Sequence, residues 1–179
     1  MSNEDRTSPD PARKPRRKGA PDIFGWRELI ALPELSIAEM RAKIDTGART
    51  SALHALDQVR FEREGAAWVR FRVPMPGSRK RARAEARIVD EREIKNTSGR
   101  PEMRIVIETV LVIGRHRWHI EASLANREKM EFDMILGRTA IRRRGVLIDA
   151  GRSYLAGPPG AARPVRRRRP KQKEERTSP

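Results

Sequence analysis

The chain has no cysteine among its 179 residues, which excludes disulfides and every cysteine-ligated zinc site. Aromatic residues make up only 4%. That is low for a module that binds nucleic acid by stacking bases, so any RNA contact is expected to be mainly electrostatic. No apolar run approaches the roughly 20 residues of a membrane-spanning helix, and no membrane partner is expected. The start, Met1-Ser2-Asn3-Glu4-Asp5-Arg6, lacks the apolar core of a secretory signal. The expectation is therefore a cytoplasmic protein.

What the chain has in abundance is charge: 36% charged against 37% hydrophobic residues, with a formal net charge of +16. Much of the excess lies at the ends. Residues 1–22 carry six basic and four acidic side chains among Pro, Ser and Gly, and residues 157–179 carry eight Lys or Arg against Glu174 and Glu175. Neither end has the apolar surface to offset ordering entropy, so both are expected to be disordered tails around one domain, residues 23–156. A basic tail such as Arg166-Arg167-Arg168-Arg169-Pro170-Lys171 favours ribosome or RNA contact. It equally serves solubility alone.

Between the tails the pattern is that of short strands. Ile23 to Pro33 reads as a first strand ended by Pro33, and Glu39 to Ile44 delivers the chain to Asp45. Ser51 to Leu56 closes the following turn. Phe61 to Val73 forms a hairpin around Gly65, where Trp68, Phe71 and Val73 do not share one alternation and leave room for a bulge. A basic loop, Pro74 to Arg81, follows. Ala86 to Ile94 and Arg100 to Glu108 flank a turn at Asn96-Thr97-Ser98-Gly99. A third hairpin turns at Gly114-Arg115. Asp133 to Gly137 and Gly145 to Asp149 read as buried strands, with a short helix within Arg138 to Arg144. Many short strands with little helical periodicity argue for an all-β barrel.

The chemistry concentrates in Asp45-Thr46-Gly47-Ala48, a carboxylate on a turn after a strand, and in Ile135-Leu136-Gly137-Arg138 far downstream. In this pairing Gly47 permits a tight turn, Thr46 offers a hydroxyl, and Asp45 supplies the acid–base group. Together they resemble the retropepsin-like aspartic proteases. With Gly25-Trp26-Arg27-Glu28, Val89-Asp90-Glu91-Arg92, Ser98-Gly99 and Asn126-Arg127, the chain is more closely similar to a bacterial branch also called ATP-dependent zinc proteases. That branch is associated with glutamate ligases that modify a ribosomal protein, and the likeness runs from about Phe24 to Leu155.

The resemblance implies a single-lobe, retropepsin-like closed barrel that works as a homodimer. One carboxylate per chain is half of the pair that aspartic-protease chemistry needs, so two Asp45 side chains would meet on a two-fold axis. It further implies catalytic roles for Asp45, Thr46 and Gly47, support from Ala48, Ile135, Leu136, Gly137 and Arg138, and a flap tipped by Asn96, Thr97, Ser98 and Gly99. Arg87, Arg92, Lys95, Arg100 and Arg104 make that hairpin basic, which points to an acidic peptide or polyglutamate-modified protein as substrate. The alternative is a noncatalytic ribosome- or RNA-associated regulator on the same barrel. Zinc and ATP find no support in the residues. There is no His-Glu-x-x-His and no phosphate-binding Gly-x-x-x-x-Gly-Lys, and His116 and His119 fall on opposite faces of one strand. No metal or cofactor is expected. Viral members pair the Arg after the aliphatic-aliphatic-Gly motif with an acid beside the catalytic turn, a position held here by Arg49. Arg138 is thus expected to seek another acid, with Asp57, Asp133 and Asp149 as candidates, or else one of the two arginines turns to solvent.

Overall fold

Alternation of apolar and charged side chains sets most of the strands. In the computed structural model, which describes residues 21–74, 81–95, 99 and 101–160, they run as follows. β1 is Asp22–Gly25, β2 Arg27–Leu32, β3 Ile37–Asp45, β4 Ser51–His54, β5 Leu56–Arg63 and β6 Ala66–Pro74. β7 is Arg81–Lys95, β8 Pro101–Ile113, β9 His116–Ala125, β10 Met134–Gly137 and β11 Val146–Asp149. A 3-10 turn, Pro33–Leu35, and one helical turn, α1 (Arg138–Ile141), complete the list.

Six strands, in the order β2-β3-β10-β4-β9-β8, form a barrel closed by pairing of Ile30 with Ile113 and Ala31 with Val112 between β2 and β8. Met40, Ala42 and Ile44 of β3, Leu53 of β4, Ile107 and Leu111 of β8, and Leu124 of β9 fill its interior. Each fully buried Leu or Ile contributes about 1.5–3 kcal/mol. Strands β7, β6 and β5 continue the sheet beyond β8, and Val69, Phe71 and Val73 of β6 face the core.

Three expectations are corrected. The first strand is two: β1 pairs in parallel with β11, while β2 joins the barrel. The break at Trp26 is held by Glu28, fully buried, which accepts backbone N–H bonds from Gly25 (2.5 Å), Leu155 (2.9 Å) and Ala156 (3.2 Å). β11 is not a buried strand, because it lies in that separate two-stranded sheet with Leu147 exposed. Nor is there a bulge at Trp68: β6 stays in unbroken register with β7 from Trp68 to Pro74, so Trp68 lies on the face opposite Val69. The irregularity falls on β5 between Leu56 and Val59, where Asp57 takes a left-handed φ of 51°. The tails up to residue 20 and from 161, loop residues 75–80, Asn96, Thr97, Ser98 and Arg100 lie outside the described residues.

Candidate active site

β3 ends on Asp45, and β10 runs parallel to it with Gly137 opposite Asp45 and Leu136 opposite Ile44. On its other edge β10 pairs antiparallel with β4. The strand carrying Leu136-Gly137 is thus wedged between the two strands that lead into and out of the Asp45 turn. This brings together residues about ninety positions apart in the chain. A Cβ on Gly137 would stand 2.5 Å from the carbonyl carbon and oxygen of Thr50, so only glycine lets the turn and β10 approach this closely.

The turn is fastened from both sides. Asp45 Oδ1 accepts the backbone N–H groups of Gly47 and Ala48, each at 3.0 Å. Gly47 is not among the left-handed glycines; it contributes room, since a Cβ there would lie 3.3 Å from Asp45 Oδ1. Ala48 offers no hydroxyl but still holds the carboxylate through its backbone. From below, the N–H groups of Arg138 and Thr139 donate to the carbonyls of Ala48 (2.9 Å) and Arg49 (3.1 Å), and Thr139 Oγ1 donates to Arg49 at 3.0 Å. Ser51 Oγ accepts the Gly137 N–H at 3.2 Å, and Ser123 Oγ donates to the Ser51 carbonyl at 3.1 Å.

Of the two outcomes expected for Arg138 and Arg49, the acid partner is not found and the turn to solvent is, at Arg49. Arg138 pairs with no acid among the described residues, but its Nη1 donates to the carbonyls of Thr46 and Gly47, both at 2.8 Å. The three candidate acids are engaged elsewhere or lie elsewhere. Asp57 pairs with Arg72, Asp149 with Arg152, and Asp133 lies near Arg127. A guanidinium satisfied by two peptide carbonyls has no need of an acid, and Arg49 is free to stand exposed.

Asp45 opens on a cleft of about 640 Å³ whose walls include Ala48, Arg49, Thr50, Arg104, Arg127 and Lys129 together with Glu128 and with Glu102, which pairs with Arg104 at 2.7 Å. Arg127 is the residue to which sequence reasoning gave no role. Its backbone N–H donates to Nδ1 of the buried His54 at 3.0 Å, and its Nε to the Phe132 carbonyl at 3.1 Å. That bond makes His54 Nδ1 an acceptor and places the ring proton on Nε2; the longer 3.4 Å approach of Nδ1 to the Ala125 carbonyl is then a contact without a proton. Burial, then the neighbouring Arg104, push the Arg127 guanidinium below its ordinary value, while Asp133 and Asp45 draw it back up. It remains cationic. The string Asn126-Arg127 carried a signal for this residue, but only the fold sets it beside Asp45.

Zinc does not fit this donor set. Among the described residues no three His, Asp or Glu side chains converge; His116 hydrogen-bonds Asp22 at 2.6 Å, and His119 lies 3.4 Å from Glu108.

A six-stranded barrel with an Asp-Thr-Gly turn fastened by a Leu-Gly-Arg segment, where β10 passes into α1, defines the single-lobe acid-protease class. Residues 23–159 match the family model described as RimB-like, retropepsin-like aspartic endopeptidase RimB, and the chain belongs to that family. It is 40% identical over 137 residues to a protein of Shewanella halifaxensis named probable alpha-L-glutamate ligase, and 41% identical over 130 residues to one of the same name from Desulfotalea psychrophila. These matches cover 75% and 72% of this chain but only 30% and 28% of those proteins. Among solved structures, Lpg0085 of Legionella pneumophila, a protein of unknown function, superposes with a TM-score of 0.66 at 26% identity, over 75% of this chain and 98% of that one.

Proposed function

We propose that the chain is an aspartic peptidase that acts as a homodimer on acidic peptide or polyglutamate-modified protein. The observation that carries this reading is the juxtaposition of Asp45, held by its own turn, with a cleft lined by Arg49, Arg127 and Lys129, none of which pairs with a described acid, beside Glu128 and the Arg104–Glu102 pair. Two Asp45 side chains across a two-fold axis share one proton. The ionised carboxylate takes a proton from water as its oxygen attacks the scissile carbonyl. The protonated carboxylate gives its proton to the carbonyl oxygen. Collapse of the tetrahedral adduct returns that proton, transfers the water-derived one to the departing amine and leaves a new carboxylic acid, which ionises in water.

The cations of this wall that no described acid pairs, Arg49, Arg127 and Lys129, select the substrate. Guanidinium groups bind carboxylates through short, charge-assisted hydrogen bonds, and an apolar side chain would leave the Arg127 guanidinium desolvated with the Phe132 carbonyl as its one partner among the described residues. The name of the ligase relatives supports the same class, since a chain similar to part of a glutamate ligase is expected to meet glutamate-bearing peptides.

The test is hydrolysis of glutamate-extended peptides by the wild type and Asp45→Asn, with and without chelator, alongside sedimentation at micromolar concentration. Chelator-resistant cleavage by a dimer, lost in the variant with dimerisation intact, is the expected outcome. Wild-type turnover in Asp45→Asn would refute the mechanism, and full activity in a strict monomer would refute the shared site.

A further inference from the structure

Beyond β8 the sheet turns a second face to solvent. The core takes Val69 and Phe71 of β6 and Ala84 and Ala86 of β7, so alternation sends Trp68 and Arg70 and, across the ladder, Arg83 and Arg87 to the other side. Phe61 of β5 pairs directly with Trp68. Their rings lie 6.4 Å apart at 34°. The Arg63 guanidinium sits 4.6 Å from the Trp68 ring centre and 5.2 Å from that of Phe61, and Arg70 sits 5.3 Å from Phe61. In a chain with only three Trp, one Tyr and four Phe, two of the rings thus stand side by side on an outward, arginine-rich face.

We infer that the outer face of β5–β7 is a binding platform for single-stranded RNA, with Phe61, Trp68 and the guanidinium planes of Arg63 and Arg70 receiving bases and Arg83 and Arg87 meeting phosphates. An Arg laid on an aromatic ring keeps its second planar side free, and bases stack on such planes as they do on rings. Arg63 and Arg70 both pair with Glu85, at 2.5 and 2.7 Å. These are exposed bridges of small worth, readily exchanged for phosphate contacts. Arg83 and Arg87 are exposed, and no described carboxylate lies within ion-pair distance of either. Successive outward residues on one strand are about 6.7 Å apart, a step that an extended nucleotide chain can follow. An acidic polypeptide would use the charges but leave the ring pair without a role. A polyanion with planar bases uses both. The low aromatic content pointed to purely electrostatic contact, but an average over the chain does not register two rings placed together. None of these residues lines the Asp45 cleft, so the platform stands or falls separately from the peptidase.

The experiment measures anisotropy of labelled oligouridine with the full chain over a salt series, with polyglutamate titrated in parallel. Trp68→Ala is expected to weaken RNA binding about 5- to 100-fold at fixed salt with little change in salt slope, whereas Trp68→Phe stays near the wild type. Arg83→Ser/Arg87→Ser is expected to lower the logarithmic salt slope by about 1.4, the yield of two phosphate contacts on a single strand. RNA binding that is absent, or that is unchanged in both Trp68→Ala and the double arginine variant, overturns the proposal and leaves any affinity to the tails. Loss of polyglutamate binding with RNA binding retained overturns it in favour of an acidic protein partner. Should Trp68→Ala misfold by circular dichroism, the arginine pair decides the matter: an unchanged salt slope overturns the proposal.

Discussion

Replacing Gly137 by Ala isolates the steric demand at the centre of the site. Gly137 has φ −75° and ψ 172°, a conformation open to any residue, so the backbone itself does not require glycine. The space does: the new methyl would stand 2.5 Å from the carbonyl carbon and oxygen of Thr50 and 2.9 Å from the Arg49 carbonyl carbon. All are backbone atoms, fixed on one side by the Gly137 bond to Ser51 and on the other by Arg138 and Thr139 bonds to Ala48 and Arg49. Overpacking a rigid site costs about 1–3 kcal/mol, occasionally more, and with no side chain able to rotate away the cost here belongs near 3 kcal/mol. For a domain of this size that is roughly a 10 °C fall in Tm. The control is Gly65→Ala, where nothing lies within 4 Å but φ is +71°; it pays only for left-handed backbone, about 1 kcal/mol. Urea and thermal denaturation followed by circular dichroism read both. A Gly137→Ala protein as stable as the wild type, or one no worse than Gly65→Ala, would refute the wedge argument.

Glu28→Ala strands three backbone N–H donors, that of Gly25 buried and those of Leu155 and Ala156 half-buried, and is expected to cost about 3 kcal/mol in urea unfolding, with protection of the Leu155 and Ala156 amides lost in hydrogen exchange. Burial acts to raise the Asp22 pKa, but hydrogen bonds from Arg115 and His116 and their charges outweigh it, and the carboxyl is held below its ordinary 3.8. A lowered folded pKa means stability that is present above 3.8 and lost as pH falls through the folded value. Asp22→Asn should therefore lower Tm at neutral pH and match the wild type in acid, as thermal scans across pH would show. Arg127→Gln is expected to cut kcat/KM on glutamate-rich peptides about 10- to 100-fold, while an uncharged peptide cut slowly by the wild type loses little; equal losses on both would make Arg127 a structural residue only.

The parts of this site that could be read from sequence are those whose reason is local. Asp45 is bonded by residues two and three positions on, and Gly65 turns a hairpin beside itself, so a short string suffices to announce each. Arg138 defeated the same reading because its partners are carbonyls, which every residue carries and no sequence marks. A charge rule can send an arginine to an acid or to solvent but not to a carbonyl, whereas the fold brings those of Thr46 and Gly47 within 2.8 Å. Glu28 escaped for a related reason: its donors come from positions 25, 155 and 156, and a lone Glu in an apolar run looks like solvent-facing alternation until both ends of the domain close on it. Trp68 shows the opposite error. Treated as core with Phe71 and Val73 it forces a bulge, yet Val69, Phe71 and Val73 alone already satisfy a period of two. Taking that alternation strictly puts Trp68 outside, beside Arg70 on the same face. A large aromatic that breaks an otherwise regular inward pattern is evidence for a second face with its own use, and here that face carries Phe61, Trp68 and their arginines.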